Sequence, residues 1–485
     1  MNPSPYAKAT AAGASTQVLH FLPPSRKVYV RPTSGRFSHW RWAMVAFTQL
    51  LFYGLCWLPW DGRQAVLFDL VQRKFYLFGL VLWPQDGIYL ALLLIAAALT
   101  LFFVTTVAGR VFCGFACPQS VYTAIFLWIE QRIEGKPLAR MQRDTGAWSV
   151  AKVRIKLAKH GAWLAVSLWT GLTFVGYFTP MRSLLPSTLS LSTGPWEGFW
   201  ILFYAGFTYL QAGHLREMVC RHMCPYARFQ GVMMDADSVT ITYDKLRGEP
   251  RTTARARHAD ASGRTGDCVD CGICEQVCPA GIDIRHGAQY ECINCGLCAD
   301  GCDRVMLKLG RAPGLIRMAS EHELASAAHV GATPRGLGAW SWPRFMERLR
   351  RPRVLIYAAL TVLMLSVIVA ALATRVPLRA DILRDRGVLA REVGEGSIEN
   401  VYLLKLMNLR EAPHRLRVRV VEPDGVVLAG SGLYDVPAGQ ILTVPMTLRL
   451  VRPDQTSGMR RVAVRIEDAD TPAIRVDEET SFFVP

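Results

Sequence analysis

The chain has 485 residues, 51% of them hydrophobic, with a formal net charge of +16 and an isoelectric point near 9.4. This length exceeds one ordinary domain. So basic and apolar a chain points to a membrane protein with basic loops and away from a nucleic-acid binder.

Residues 1–39 read as a cytoplasmic tail. They are polar, carry Arg26, Lys27, Arg31 and Arg36, and lack the apolar core and cleavage site of a signal peptide. Five stretches approach the ~20 apolar residues that cross ~30 Å of hydrocarbon: Trp40 to Trp60, Ile88 to Val107, Gly161 to Phe178, Trp196 to Leu215 and Val354 to Ala373. Cys56, inside the first, reads as a small buried hydrophobe. The loops 61–87 and 181–195 hold few basic residues, whereas 109–160 and 216–353 are rich in them. Positive charge accumulates on cytoplasmic loops, so the amino terminus and 216–353 are expected inside and the carboxyl end outside. The chain then divides into the tail, spans one to four over 40–246, a cytoplasmic region over 247–353, span five over 354–373 and an external domain over 374–485.

Two short motifs sit at matched places. Cys113-Gly-Phe-Ala-Cys117-Pro118 follows the second span and Cys220-Arg-His-Met-Cys224-Pro225 the fourth. This reads as an internal repeat of two hairpins, each ending in C-x3-C-P; such repeats tend to build a shared site where their halves meet. Helical i and i+4 residues share a face, and proline places Cys117 and Cys224 at a helix end or turn. Nearby Arg110, Arg216 and Arg221 are expected to favour thiolates. The four cysteines are assigned redox or metal work. Soft thiolates prefer Cu(I), which eases reduction of Cu(II). Met218, His222, Met223, Met233 and Met234 are further donors, although methionine otherwise serves packing, and His214 and His222 otherwise read as interfacial residues.

The run Cys268-x2-Cys271-x2-Cys274-x3-Cys278-Pro279 is repeated as Cys292-x2-Cys295-x2-Cys298-x3-Cys302. Its spacing suits two [4Fe–4S] clusters, the fourth cysteine of each run crossing to the other cluster. Cys268, Cys271, Cys274 and Cys302 are assigned to one, and Cys292, Cys295, Cys298 and Cys278 to the second. Zinc would leave the third cysteine of each run without a use, and disulfides do not suit the reducing cytoplasm. Asp303, where the pattern prefers proline, leaves the turn there open. Val305–Leu309 is expected as a short strand or turn, and 311–342 as a linker with an amphipathic helix. The arginines at 344, 348, 350, 351 and 353 read as a topology anchor and not as a nucleic-acid patch.

The last hundred residues lack cysteine. Leu416, Val418 and Val420 alternate with arginines, Ile441 to Leu450 and Val462 to Ile466 alternate likewise, and Pro423-Asp424-Gly425 and Pro437-Ala-Gly439 mark turns. This is the pattern of an immunoglobulin-like β-sandwich of ~100 residues. It bears no catalytic constellation and is expected to dock or stabilise.

Five spans, two C-x3-C-P motifs, the doubled cysteine run and the sandwich resemble the cytochrome c oxidase accessory protein family CcoG, also called FixG or RdxA. Cys113-Gly-Phe-Ala-Cys117-Pro118-Gln119 and Cys224-Pro225-Tyr226-Ala227-Arg228-Phe229-Gln230 are especially similar to it. The resemblance implies a bacterial inner-membrane cupric reductase that assists assembly of cbb3-type oxidase and supplies Cu(I) towards a copper-transporting ATPase. It carries the cluster role onto the eight cysteines of the doubled run and copper reduction onto Cys113, Cys117, Cys220 and Cys224; His222 stays the candidate metal ligand named above. The expected donor is a cytoplasmic flavodoxin- or ferredoxin-like protein, and a homodimer is open. A quinol dehydrogenase-like subunit and a non-enzymatic copper chaperone or scaffold are the rival readings.

Overall fold

The computed structural model describes residues 28–252, 265–289, 291–324, 342–385, 390–394, 397–410, 412–451 and 457–485. Residues 1–27 of the tail, much of the basic connector before Cys268 and residues 325–341 of the 311–342 stretch expected as linker and amphipathic helix lie outside these.

Apolar periodicity becomes helix between the points where proline and glycine interrupt it. The helices are α1 (Arg36–Gly54), α2 (Gly87–Ala108), α3 (Val111–Phe115), α4 (Pro118–Glu134), α5 (Pro137–Thr145), α6 (Val150–Val175), α7 (Met181–Leu189) and α8 (Pro195–Thr208). After α8 the chain loosens into π-helical turns over Tyr209–Leu215 and Val219–Met223, then re-forms as α9 (Pro225–Met233). α10 (Leu297–Lys308) and α11 (Pro352–Ala373) follow. Proline opens α4, α8, α9 and α11, where its missing N–H costs nothing.

Three helical segments are long and apolar enough to cross a membrane: Pro84–Ala108, Val111–Glu134 and Pro352–Ala373. The first and last coincide with expected spans. The middle one, half buried against its neighbours, was not expected to cross. The other three expected spans are helical but fall outside that criterion. α1 stops at Gly54, short of Pro59, and α6 begins earlier than expected, taking in Lys152, Arg154, Lys156 and Lys159. The fourth divides into α8 and its π-helical continuation. α2 and α11 lie side by side, with the Tyr89 hydroxyl donating to the Ala371 carbonyl at 3.1 Å.

The supposed loop 61–87 contains small antiparallel sheets. β1 (Pro59–Trp60) pairs β2 (Arg63–Gln64), and β3 (Val66–Asp69), β4 (Lys74–Leu77) and β5 (Leu80–Leu82) form a meander. Further on, β6 (Thr240–Tyr243) pairs β7 (Ile316–Ala319) and brackets both cysteine loops. Val305–Lys308 is not strand but the last turn of α10, whose Met306 is buried beside the cysteines, and the turn expected there falls at Leu309.

The carboxyl-terminal domain is an immunoglobulin-like pair of antiparallel sheets. Its strands are β8 (Leu378–Arg384), β9 (Arg391–Val393), β10 (Ser397–Asn408), β11 (His414–Glu422), β12 (Val426–Ala429), β13 (Leu433–Val436), β14 (Ile441–Leu450), β15 (Gly458–Asp468) and β16 (Arg475–Val484). One sheet runs β12-β14-β10-β8 with β9 on β10, and the other β13-β11-β15-β16. The period-two pattern predicts the inner face: Leu416, Val418, Met446, Leu448, Val462, Val464 and Ile466 are all buried in one core. Each such side chain contributes about 1.5–3 kcal/mol on burial. The sandwich is fastened to the helices at Asp86, whose buried carboxylate pairs with Arg375 at 2.6 Å and Arg379 at 2.9 Å.

Candidate redox site

The two cysteine loops fold alike. Asp270 and Asn294 occupy the left-handed region at equivalent places, with φ of 49° and 60°. Gly272 and Gly296 do so two residues later and cap the helices that carry Cys274 and Cys298. Asp, Asn and Gly tolerate this region best. Alternating left-handed residues turn successive N–H groups inward, a concavity suited to an anionic group.

Cys268, Cys271, Cys274 and Cys302 line one small cavity, together with Tyr243, Arg285 and Met306. Cys278, Cys292, Cys295 and Cys298 line a second, with Cys274 at its edge and Ile241, Ile282, Ile284 and Ile293 as walls. All thirteen cysteines are free of disulfides. The donor sets fit iron–sulfur clusters: each cavity is faced by the four thiols assigned to it, the second also by Cys274, and by mostly apolar side chains. Among the described residues, no three His, Cys, Asp or Glu side chains converge on a single ion position; a cubane spreads its ligands around a cage instead of a point. Burial pushes the Cys274 and Cys278 thiols up to about 11 and Cys292 to about 12, with Arg285 easing Cys274. Bound cations would be needed to hold these sulfurs as thiolates. Cys302 sits inside α10, where proline at 303 would break the helix. Asp303 instead accepts the N–H of Gly314 at 2.6 Å.

The C-x3-C-P motifs lie against the second loop. Cys113 is on α3, and Cys117 and Cys224 are the residues preceding α4 and α9, at helix ends as expected. Cys113, Ile293, Cys295 and Leu297 form one apolar cluster, with Cys220, Tyr226 and Cys298 packed against it. Cys113 and Cys220, one from each half of the repeat, therefore meet at this cluster. Glycine is required at Gly114, because a Cβ there would stand 2.7 Å from the Ile293 carbonyl and 2.9 Å from the Cys295 Cα.

The expected activation of these thiols by three arginines is corrected. Arg216 is drawn to Glu130 at 2.9 Å, and Arg221 donates to the carbonyls of Ala280 and Gly281. Arg110 works to lower Cys220, but burial outweighs it and pushes that thiol up to about 12. Among the expected auxiliary donors, His222 and Met223 line an open cavity of about 360 Å³ with Cys224 and Arg228. Met233 is instead engaged by the Tyr357 hydroxyl at 3.2 Å.

Sequence reasoning missed the residues that fasten the loops. Asn294 accepts the Ile241 N–H at 2.6 Å and donates to the Ala108 carbonyl at 3.1 Å, tying the second loop to the end of α2. Asparagine between two cysteines was the available signal. Buried Gln230 stands 3.1 Å from the Cys113 sulfur; it closes the family-like Cys224–Gln230 stretch, but that stretch did not say what it would touch.

Comparison with known proteins agrees with this anatomy. A 4Fe-4S dicluster domain model matches residues 215–321, a 4Fe-4S binding domain model matches 90–137, and the model for the IG-like fold at the C-terminus of FixG matches 368–485. The nitrogen fixation protein FixG of Rhizobium meliloti is 39% identical over 404 residues, which cover 79% of this chain and 77% of that protein. Protein RdxA of Cereibacter sphaeroides is 37% identical over 463 residues, covering 93% and 95% respectively. Protein RdxB of the same organism is 34% identical over 477 residues, covering 96% and 98%.

Proposed function

The chain belongs to the FixG/RdxA family, and from that premise we propose that it reduces Cu(II) to Cu(I) at Cys113, Cys117, Cys220 and Cys224. Its 4Fe-4S domains make it an iron–sulfur electron-transfer protein. In this reading Cys268, Cys271, Cys274 and Cys302 hold one [4Fe–4S] cluster, and Cys278, Cys292, Cys295 and Cys298 the other. Bound there, the clusters supply one-electron transfer, one electron from a cytoplasmic protein donor for each Cu(II) reduced.

The chain's own residues set the order. Cys271 is the exposed cysteine of the eight, so the first loop meets the donor. The second loop is covered by α3 and by Cys113 and Cys220. That packing of Cys113 and Cys220 against Cys295 and Cys298 carries the reading, because it places soft sulfur ligands beside the inner end of the conduit. A thiolate pair retains Cu(I) in preference to harder ions, and His222 at the open cavity supplies a further donor. The cysteine loops and amino terminus face the cytoplasm of the inner membrane and the sandwich faces the periplasm, and Cu(I) passes to a copper-transporting ATPase for cbb3-type oxidase assembly.

The test is anaerobic. Dithionite-reduced protein is separated from excess reductant and titrated with Cu(II), and bleaching of the iron–sulfur absorbance is compared with Cu(I) formed. Stoichiometric Cu(I) is expected, and Cys113→Ser or Cys220→Ser should abolish it with iron and sulfide content unchanged. Normal copper reduction by those variants would remove the paired cysteines from the reaction.

A further inference from the structure

A buried polar network joins the C-x3-C-P thiols to the second cysteine loop. Arg110, between α2 and α3, is 3% exposed and Gln230, on α9, is fully buried. Arg110 Nε donates to Gln230 Oε1 at 3.0 Å, and Arg110 Nη1 donates to the carbonyl of Cys292 at 3.3 Å. The Cys113 thiol donates to the same Gln230 Oε1 at 3.1 Å. Gln230 Nε2 in turn donates to the buried hydroxyl of Thr105 at 3.2 Å. The orientation of the amide is thereby fixed: a flipped Gln230 would set its NH2 group against the Arg110 guanidinium, donor against donor.

Placement of this network is determined on both sides. Asn294 holds the second loop to the Ala108 carbonyl, two residues before Arg110. Gly114, next to Cys113, lies against Ile293 and Cys295. The guanidinium is thus confined between the loop and the thiols. A buried cation interacts with both neighbours far more strongly than it would in water.

We propose that Arg110 and Gln230 are positioning residues that couple the second iron–sulfur site to the paired cysteines. Arg110 holds one positive charge common to both, favouring added negative charge on either side. Gln230 holds Arg110 and Cys113 in register through one shared oxygen. Arginine suits the task because its charge is permanent and its planar fork serves two acceptors at once; lysine supplies the charge without the fork.

This inference rests on the cluster and cupric-reductase readings, and its test separates the three. Purified chain loaded with iron and sulfide is titrated reductively without copper, and each EPR signal is followed with potential. Arg110→Gln is expected to move one signal, that of the second site, to more negative potential, with Arg110→Lys intermediate and the other signal unmoved. Gln230→Leu is expected to keep both signals and full iron content but to slow Cu(II)-driven reoxidation about tenfold, the effect of ~1.4 kcal/mol on a barrier. Unchanged potentials in Arg110→Gln, or wild-type reoxidation in Gln230→Leu, would overturn the coupling. If Arg110→Gln does not assemble its clusters, the Arg110→Lys potential and the Gln230→Leu rate decide. A wild-type protein that Cu(II) fails to reoxidise would instead remove the reductase reading, leaving the Arg110 potentials to stand or fall alone.

Discussion

The carboxylate of Asp300 accepts the backbone N–H of Ser38 at 2.7 Å, and its other oxygen accepts that of Phe37 at 3.1 Å. An acid lying between Cys298 and Cys302 therefore caps α1, a helix some 260 residues earlier in the chain. Two orphan donors are satisfied and a negative charge meets the positive end of the helix dipole. Asp300→Ala should cost about 1–2 kcal/mol, and Asp300→Asn less. Gly35→Ala should also destabilise, because its Cβ would lie 2.4 Å from the Asp300 Cγ. Thermal unfolding of the detergent-solubilised chain checks both; an Asp300→Ala protein melting with the wild type would show that the cap contributes nothing.

Asp86 is 2% exposed and holds Arg375 and Arg379 at the base of the sandwich. Removing the carboxylate strands the mostly buried Arg375 guanidinium, a loss of about 3–5 kcal/mol where a buried pair is broken, while the exposed Arg379 stays hydrated. Asp86→Ala is expected to expose the Thr374–Pro377 connection to limited proteolysis while the sandwich core stays protected. Cleavage no faster than in the wild type would show that the apolar contact of Trp83 with Met407 and Leu409 suffices by itself.

Gly114→Ala should strike the loop at Ile293 and Cys295, where backbone cannot yield cheaply. Iron and acid-labile sulfide per chain are expected to fall to about half, with one of two clusters lost. Full iron content together with an unchanged EPR spectrum would mean that α3 can retreat from the loop.

In the sandwich, His414 lies 2.6 Å from Asp468, which also accepts the N–H of Asp470 at 3.0 Å. Burial works to raise the Asp468 carboxyl, but these hydrogen bonds and the charge of His414 outweigh it and hold the group below its usual range. A lowered folded value stabilises the ionised form. The contribution is present above the unfolded value of ~3.9 and is lost as pH falls through the lower folded value. Amide protection on β11 and β15 should decline in that acid window, and Asp468→Asn should already be weaker at pH 7 and flatter below it. An identical acid profile in the variant would assign the decline to other groups.

The primary sequence determined whatever depends on local spacing. Doubled cysteine triplets dictate two similar loops, because iron–sulfur ligation needs close, repeated sulfurs. Period-two alternation dictates which faces of β11, β14 and β15 turn inward, because a pleat sends neighbouring side chains to opposite sides. Prolines 118 and 225 dictate where two helices begin. Tertiary structure alone decided what depends on meetings across the chain. Local spacing did not reveal that Val111–Glu134 runs on past the Cys117-Pro118 break as one helical segment, apolar and long enough to cross and half covered by neighbouring elements. Nor did it show that Arg216 and Arg221 are claimed by Glu130 and by the carbonyls after Cys278, leaving Arg110 to serve the thiols. Gln230 and Asp300 are ordinary polar residues in sequence; they matter because folding buries them opposite donors that originate more than a hundred residues away. A buried hydrogen-bond partner has no periodicity, so only the assembled fold can assign it.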